Sequence, residues 1–354
     1  MQTHAGAAMT MSVGTSHANL HVVTEPDEER WRAFVKEHPQ GNVFHTPEMF
    51  RVFERTQGHR PEAWAVVDGS SEILVLMTPV RINLRSGPLE RLTTRAVSYG
   101  SVLCREDEEA RAALSLLLRT YEEAVNRRSL FTELRNLHDV SDLRPVLEAC
   151  GYVHEDHLNF LVALDLPVQE IQSRITRSTR QAIRKGLRDG NVSITEVCAR
   201  DELGAWYRVL EQTYRSARIP LADLSLFEAA FDILRPLGMV RFILARVDDT
   251  VVACSAELAY KDTVYGWYGG SDRRYNRNVP NDLLTWHILE WGATSGYRVY
   301  DFGGAGKPGE DYGVRDFKAK FGGRLVGFGR FTQVHAPIRL RLSTAGFHLL
   351  RRFL

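Results

Sequence analysis

The sequence has few cysteines, no long apolar run and almost no net charge. Its four cysteines are scattered over 354 residues, and no two of them form a CxxC pair. This spacing argues against a disulfide framework or a zinc site, and it predicts free thiols in a reducing compartment. No apolar run approaches the roughly 20 residues that a membrane-spanning helix needs. We therefore expect a cytoplasmic protein.

A net charge of +1 excludes a protein that attracts nucleic acid or membranes through its overall field, so we expect no DNA partner. Any polyanion must be held by a local basic patch. Hydrophobic residues make up 44% and aromatic residues 10% of the chain, which is enough for buried cores. Residues 1–19 lack the basic and apolar regions of a signal peptide, and we interpret them as a disordered leader.

Two halves of the remaining chain share one order of predicted elements. Residues 20–165 and residues 166–332 each read as helices, a strand hairpin, a third strand, a long helix and another strand. The length fits two domains. A repeat of this spacing predicts a duplicated α/β domain rather than a solenoid. Residues 333–354 form a basic amphipathic tail.

Several catalytic motifs are missing or incomplete. The glycine-rich loop 303–309 has Pro308 where a P-loop needs Ser or Thr, and its spacing is wrong for a dinucleotide fingerprint. His154 and His157 have no third ligand at a recognisable spacing, so no metal site is predicted. No GxSxG elbow marks a serine nucleophile, and no cysteine has the sequence context of one. Covalent catalysis is therefore poorly supported.

The segment from Val264 to Arg330 is the predicted active cleft because it combines glycine, aromatic and basic residues beside strand ends. Its sharpest feature is Phe317-Lys318. Lys318 is either ordinary surface charge or, if desolvated beside Phe317 and Phe321, a fixed cation for a developing oxyanion. The glycines at 303 and 304 allow a substrate to lie close to the backbone.

A second basic feature lies on a predicted helix spanning Gln169 to Arg188. Arg177, Arg180 and Arg184 fall three or four residues apart on a face with no interleaved glutamate. The face is either solvated or binds phosphate through arginine forks.

The order strand-Tyr-Gly-Gly-Ser, polar loop, long helix, strand-Asp-Phe-Gly-Gly and Phe-Lys-x-x-Phe-Gly resembles the Fem family of aminoacyltransferases. Residues 42–47 and 177–186 resemble the same family. The resemblance implies an α/β fold of two tandem GNAT-like domains, each with a mixed central sheet flanked by helices. It also implies transfer of an amino acid from aminoacyl-tRNA to an amino group of a peptidoglycan precursor, with no other cofactor.

The resemblance gives Lys318, packed by Phe317, the role of stabilising charge in the acyl-transfer transition state. It places Tyr268 in the acceptor channel, and we infer that Arg177, Arg180 and Arg184 contact acceptor diphosphate or tRNA phosphates. The other candidate substrate-binding residues are Gly270, Arg273, Tyr275, Asp301, Gly303, Gly304, Tyr99, Tyr214 and Arg218.

Two departures keep alternatives open. The second half has no room for the helical hairpin that many family members insert, so acyl-CoA remains an alternative donor, with a sugar or small amine as acceptor. Against acyl-CoA, residues 272–280 before the long helix contain no glycine, and GNAT enzymes use a glycine-rich turn there to bind the CoA diphosphate. A catalytically idle binding module is a third alternative. The tail either contacts a membrane or packs on the second domain.

Overall fold

The structure is a computed structural model that describes residues 20–83, 93–125 and 128–350, with side chains as far as Thr344. The expected leader at residues 1–19 lies outside the described residues. The described chain forms two mixed sheets flanked by helices, which confirms the predicted α/β class. Within these ranges, no helix is both long and apolar enough to cross a membrane.

The first sheet has the order β1-β3-β4-β5-β6-β15-β7, and β2 pairs with β4. Its strands are β1 (His21–Val23), β2 (His59–Pro61), β3 (Trp64–Val67), β4 (Ile73–Asn83), β5 (Thr94–Cys104), β6 (Phe131–Arg135), β7 (Val153–Glu155) and β15 (Arg330–Val334). Its helices are α1 (Glu28–Glu37), α2 (Pro47–Glu54), α3 (Glu108–Val125) and α4 (Arg144–Ala149).

The second sheet has the order β14-β8-β13-β12-β11-β10-β9. Its strands are β8 (Leu158–Ala163), β9 (Val192–Glu196), β10 (Val240–Val247), β11 (Thr250–Tyr260), β12 (Thr263–Ser271), β13 (Val299–Gly304) and β14 (Arg324–Gly327). Its helices are α5 (Val168–Arg174), α6 (Arg177–Asp189), α7 (Leu203–Ala217), α8 (Leu224–Ile233), α9 (Pro280–Thr294) and α10 (Gly313–Ala319), and α11 (Pro337–Leu350) follows β15.

Two strands cross between the sheets, so sheet membership departs from the predicted boundaries at residues 165 and 332. Strand β8 belongs to the first half of the chain but pairs with β13 and β14 of the second sheet. Strand β15 returns to the first sheet between β6 and β7. The exchange follows from packing, because Phe160 and Val162 of β8 are buried in the same core as Phe302 and Phe321.

Each sheet contains one parallel pair of strands joined by a long helix. Strands β5 and β6 are connected through α3, and β12 and β13 through α9. The parallel pairing of β12 and β13 covers only Thr263–Tyr265 and Val299–Asp301. Beyond it the strands separate, because β12 continues along β11 while the end of β13 pairs with β8. Such a splay opens a space at the carboxyl ends of the strands.

The prediction of a single helix from Gln169 to Arg188 was wrong. The segment forms two helices, α5 and α6, because Ile175 and Thr176 are extended and the Thr176 N–H donates to Lys320 O (2.8 Å). Strand β12 continues past Tyr268 to Ser271, and helix α9 begins at Pro280 without a side-chain cap.

The two halves share one apolar core. Phe44 and Val52 of the first half lie in the same buried cluster as Trp206 and Phe227 of the second. Burying each such side chain contributes about 1.5–3 kcal/mol. Polar contacts add to this, since Lys261 Nζ donates to His38 O across the halves (2.6 Å). The shared core fixes the cleft that lies between the sheets.

Candidate active site

A cleft of about 1060 Å³ lies where the two halves meet. This volume is at the upper end of the range for small-molecule sites. Among the predicted site residues, it is lined by Tyr99, Tyr214, Tyr268 and Gly304. The sequence analysis therefore found residues from both halves that the fold brings to one place.

Aromatic rings form the walls of the cleft. On the first half, Tyr99 stacks on Phe44 (5.4 Å between ring centroids) and on Phe53 (5.7 Å). On the second half, Tyr268 packs edge-on against Phe227 (4.9 Å) and beside Tyr214 (6.0 Å). Burial raises the pKa of Tyr214 to about 12 and that of Tyr268 further, so both hydroxyls stay protonated near neutral pH. They are hydrogen-bond donors and not bases.

The turn at the end of β13 brings the backbone of Gly304 to the wall of the cleft. Gly303 has φ +72°, a left-handed conformation that favours glycine, and its N–H donates to Asp301 Oδ1 (2.7 Å). The buried Asp301 carboxyl also accepts from Asn159 Nδ2 (3.3 Å). Burial raises the pKa of Asp301 to about 6, although both hydrogen bonds oppose the shift. Asp301 therefore holds the turn by accepting from the Gly303 N–H, and Gly304 lines the cleft.

Lys318 lies on α10 behind this turn and is only 8% exposed. Its Nζ atom donates to the carbonyl oxygens of Phe302 (2.6 Å) and Gly304 (2.7 Å). Burial lowers its pKa to about 8, while Asp301 opposes the shift. Lys318 is thus the desolvated cation that the sequence analysis considered, but its charge is held against the turn instead of projecting into the cleft.

Phe317 packs at the base of the same helix. Its ring meets Phe321 edge-on at 5.4 Å, and Lys320 Nζ lies 5.4 Å from its centroid. The ring nearest to Lys318 Nζ is that of Phe302, at 6.0 Å. Phe317 therefore contributes to the packing of α10 instead of covering the Lys318 ammonium group directly.

The predicted phosphate-binding arginines of α6 lie away from the cleft. Arg180 Nη1 donates to the carbonyl oxygens of Ser173 (2.6 Å) and Ile175 (3.1 Å) at the end of α5. Arg184 donates to Gln172 Oε1 (2.8 Å), and Arg177 is exposed. Two of the three guanidinium groups therefore brace the break between α5 and α6.

Four other predicted residues do not line the cleft. Gly270 lies inside β12, where a Cβ atom would come within 2.7 Å of Thr213 Oγ1, so it allows close packing on α7. Arg273 is exposed and Tyr275 half-buried on the 3-10 turn after β12. Arg218 ends α7 in a left-handed conformation, directly before the cleft-lining Ile219.

A group of basic residues on the cleft wall was not predicted from the sequence. Arg95, Arg135, Arg330 and His157 all line the cleft. Arg135 stands at the carboxyl end of the parallel strand β6, with its guanidinium 5.3 Å from the Tyr99 ring centroid. A charged residue at such a strand end was the available signal. Burial and the neighbouring Arg330 lower the pKa of His157, so His157 is neutral near pH 7.

The long helices offer poor sites for a CoA diphosphate. Helix α6 packs on the start of α9, where a Cβ atom on Gly186 would lie 2.9 Å from Leu283. Helix α3 starts with Asp107, Glu108 and Glu109, and Asp107 already accepts from the Ala110 N–H (2.8 Å). A diphosphate would bind to the free N–H groups at the start of a helix. Here a carboxylate already accepts from one of these groups, and the acidic side chains repel an anion.

Comparison with known proteins places the fold. Residues 173–318 match the family model described as acetyltransferase (GNAT) domain. The structure is similar to a crystal structure of FemX, with a TM-score of 0.70, 15% identity, and 91% of this chain and 99% of FemX covered. No curated protein matches the chain.

Two further solved structures share the fold over both halves. L-PGS from Bacillus licheniformis has a TM-score of 0.57 and 14% identity, with 91% of this chain and 97% of that chain covered. A tandem GNAT protein from the clavulanic acid biosynthesis pathway has a TM-score of 0.57 and 11% identity, with coverage of 90% and 99%. The fold is thus that of a tandem GNAT protein. The match of residues 173–318 to an acetyltransferase domain model supports a transferase and disfavours the idle binding module.

Proposed function

We propose that the protein transfers an activated amino acid, carried as aminoacyl-tRNA, to an amino group of a peptidoglycan precursor or a similar cell-envelope amine. The observation that carries the proposal is the buried Lys318, which holds the Gly303-Gly304 turn at the edge of the cleft. The Phe-Lys motif and the likeness to the FemX fold support the same reaction. Lys318 and Phe317 remain the proposed catalytic pair.

The reaction joins the amine nitrogen to the ester carbonyl carbon and breaks the bond to the ribose oxygen. The amine lies between Tyr268 and Gly304 and loses one proton, for which neutral His157 is the candidate acceptor because it lies beside Gly304. The ribose oxygen leaves with a proton. The positive charge of Lys318 lies directly behind the Gly303-Gly304 turn. From there it lowers the energy of the oxyanion that forms between these steps.

A transfer assay tests this proposal. The protein is incubated with total tRNA charged with labelled amino acids and with a UDP-linked muramyl peptide as acceptor. We expect label in a product that survives mild base, because an amide persists where the aminoacyl ester hydrolyses. Ribonuclease treatment of the donor should abolish the product. Absence of transfer with every charged tRNA and every muropeptide precursor would contradict the proposal.

A second candidate donor is acyl-CoA, with a sugar or small amine as acceptor. The match of residues 173–318 to an acetyltransferase domain model favours it. The covered start of α9 and the acidic start of α3 argue against it. Calorimetry with acetyl-CoA separates the two: tight binding supports acyl-CoA as the donor, and no binding at millimolar concentration removes it.

The tail adds a proposal about location. Helix α11 contributes Leu340 and Leu342 to the lining of the cleft, and Ile338 and Leu342 are 74% and 60% exposed. We propose that this helix seats the protein peripherally on the inner face of the membrane, with the cleft open to a lipid-linked acceptor.

A further inference from the structure

Three arginines lie on one face of the first sheet and form what we call the arginine floor: Arg95 on β5, Arg135 on β6 and Arg330 on β15. Side chains two residues apart on a strand point to the same face, and Arg95, Tyr99 and Arg135 all line the cleft. Arg135 and Arg330 are direct partners across the β6–β15 ladder. The floor therefore spans three neighbouring strands, with Arg135 and Arg330 side by side and Arg95 four residues along β5 from Tyr99, the residue that pairs with Arg135.

The charges of the arginine floor do not balance. Arg135 and Arg330 share one carboxylate, that of Glu133. It accepts a hydrogen bond from Arg135 Nε, and it lies 3.5 Å from Arg330 Nη1. The other nearby carboxylate, Glu155, is paired with Lys307. Among the described residues, the three guanidinium groups thus have one nearby carboxylate that is not paired with a lysine, Glu133, and the floor carries two more positive than negative charges.

Three observations bear on the energetic cost of this excess. Like charges directly opposite each other on paired strands are destabilising, and Arg135 and Arg330 are such a pair. Burial and Arg135 both lower the pKa of Arg330, whereas Tyr99 and Glu133 raise the pKa of Arg135 against the effect of its burial. Arg95 Nε is buried and has no hydrogen-bond partner among the described residues. Pairing with Glu133 alone does not account for the guanidinium of Arg95, nor for the position of all three arginines on the cleft wall.

We infer that the arginine floor is an anion subsite that binds a diphosphate, or two neighbouring phosphate esters, of a substrate. Guanidinium groups bind phosphate oxygens through two parallel hydrogen bonds, and a diphosphate diester carries the two negative charges that the floor lacks. The subsite adjoins the reaction centre, because Arg330 Nη2 lies 4.0 Å from the position of a Cβ atom on Gly304.

The position of this subsite defines a substrate class. The subsite lies beside the Gly303-Gly304 turn, so the phosphate groups belong to a substrate that enters the same cleft. The subsite rests on the proposed function only where the phosphate-bearing substrate is named. That substrate is either a nucleotide-linked acceptor, which supplies a diphosphate, or a charged tRNA, which supplies the phosphodiesters at its 3′ end. The predicted arginines of α6 are not part of the subsite.

Calorimetry with inorganic pyrophosphate tests the binding itself and requires no catalysis. Arg330→Gln and Arg95→Gln each remove one guanidinium and keep a polar side chain. We expect each to weaken pyrophosphate binding about tenfold, as is usual for a charged hydrogen-bonded pair. Arg330→Lys, which keeps the charge but loses the fork, should lie in between. The matched control is Arg324→Gln, an exposed arginine on β14 outside the cleft lining.

Thermal unfolding checks that the variants fold. Removal of Arg330 relieves the repulsion with Arg135, so Arg330→Gln should melt at the temperature of the wild type or above it. If pyrophosphate does not bind the wild type, or binds both glutamine variants as tightly as the wild type, the inference is overturned.

Competition identifies the source of the phosphate. UDP displaces pyrophosphate if the acceptor is nucleotide-linked, and an oligonucleotide with the tRNA 3′ sequence displaces it if the donor supplies the groups. Either displacement supports the subsite. The proposed function fails separately: pyrophosphate binding with no aminoacyl transfer leaves the subsite standing, whereas transfer that the arginine variants do not affect removes the subsite alone.

Discussion

The Nζ atom of Lys318 lies 2.7 Å from the carbonyl oxygen of Gly304, and this contact ties helix α10 to the wall of the cleft. Lysine carries three N–H donors, and Phe302 O accepts a second one. The buried cation satisfies two carbonyl groups, and mutation can separate this contact from its proposed role as a positive charge near the reacting group.

Lys318→Met removes the charge and keeps most of the side-chain volume. We expect transfer activity to fall by about 10²–10³-fold, the usual cost of one group that stabilises an oxyanion. Two carbonyl groups lose their donor, so the free energy of unfolding should fall by about 1–3 kcal/mol. Turnover assays and urea unfolding measure the two effects. Lys320→Met, two residues away and partly exposed, is the matched control and should change neither.

The pH profile of activity isolates the charge. Because burial lowers the Lys318 pKa to about 8, turnover should decline above that pH as the ammonium loses its proton. The unfolded lysine keeps its proton to about pH 10.5, so the contribution of Lys318 to stability improves as the pH rises from 8 to 10.5. A wild-type activity profile without an inflection near pH 8 would argue that the charge is not used.

Alanine substitutions at Gly270 and Gly269 test whether Gly270 is required for packing and not for substrate binding. A Cβ atom on Gly270 would meet Thr213 Oγ1 at 2.7 Å and Leu210 Cα at 3.2 Å, whereas one on Gly269 would meet only Cys254 O at 3.7 Å. We expect Gly270→Ala to destabilise the protein by about 1–3 kcal/mol, as overpacking does. Gly269→Ala should cost much less. Denaturant midpoints measure both, and equal midpoints would contradict the packing role.

Arg180 and Arg177 make a similar pair on α6. Arg180 donates to the last carbonyl groups of α5, and its replacement by Gln should lower stability by about 1–2 kcal/mol. Arg177 is exposed, and Arg177→Gln should stay within about 0.5 kcal/mol of the wild type. Thermal unfolding gives the comparison. If Arg177→Gln instead weakens donor binding in the transfer assay, the original phosphate prediction for α6 regains support.

The sequence predicted the local features of the fold well and its long-range pairing less well. The order of helices, strand hairpin, third strand, long helix and further strand was predicted for both halves, because periodicity and turn signals are local. The exchange of β8 and β15 between the sheets was missed, because strand periodicity does not say which partner a strand will pair with.

The candidate site divides in the same way. Tyr268, Gly304 and Lys318 follow motifs along the chain; the first two line the cleft, and Lys318 lies behind the turn. Arg135 and Arg330 are about 200 positions apart in the sequence and face each other only through the β6–β15 ladder. Arg180 shows the opposite error, since a regular spacing on α6 resembled a phosphate site, whereas the guanidinium binds its own backbone. Spacing identifies a face but not what that face meets.

Glu257 predicts a pH dependence of stability that does not involve the cleft. The carboxyl is buried on β11, Ser255 Oγ donates to it (2.7 Å), and burial raises its pKa to about 7. A raised folded-state pKa means that the folded protein holds the proton between pH 4.5 and 7 while the unfolded chain releases it. Stability therefore falls as the pH rises through this range.

Glu257→Gln removes this dependence and keeps a partner for Ser255. We expect the melting temperature of the wild type to decline from pH 5 to pH 7.5 and that of the variant to decline less, by an amount equivalent to roughly 1–3 kcal/mol. Asp301, whose pKa is also raised, contributes the same sign in both proteins and cancels in the comparison. Parallel profiles for the two proteins would show that Glu257 does not titrate in this range.

Helix α11 predicts binding to anionic vesicles. Ile338 and Leu342 are its most exposed apolar residues among those with described side chains, and Arg339 and Arg341 lie between them. Apolar side chains that enter the lipid interface, together with basic neighbours, favour a surface rich in phosphatidylglycerol. Ile338→Ser and Leu342→Ser should each weaken co-sedimentation with such vesicles about tenfold, the loss expected for one large apolar side chain.

The control is Leu325→Ser, because Leu325 is 44% exposed on β14 and lies outside α11. It should sediment like the wild type. Vesicles of phosphatidylcholine alone should bind the wild type weakly, since they lack the charge that the arginines require. If the two α11 variants and the control all sediment alike, the helix covers the cleft as part of the folded domain, and the acceptor reaches the cleft from solution.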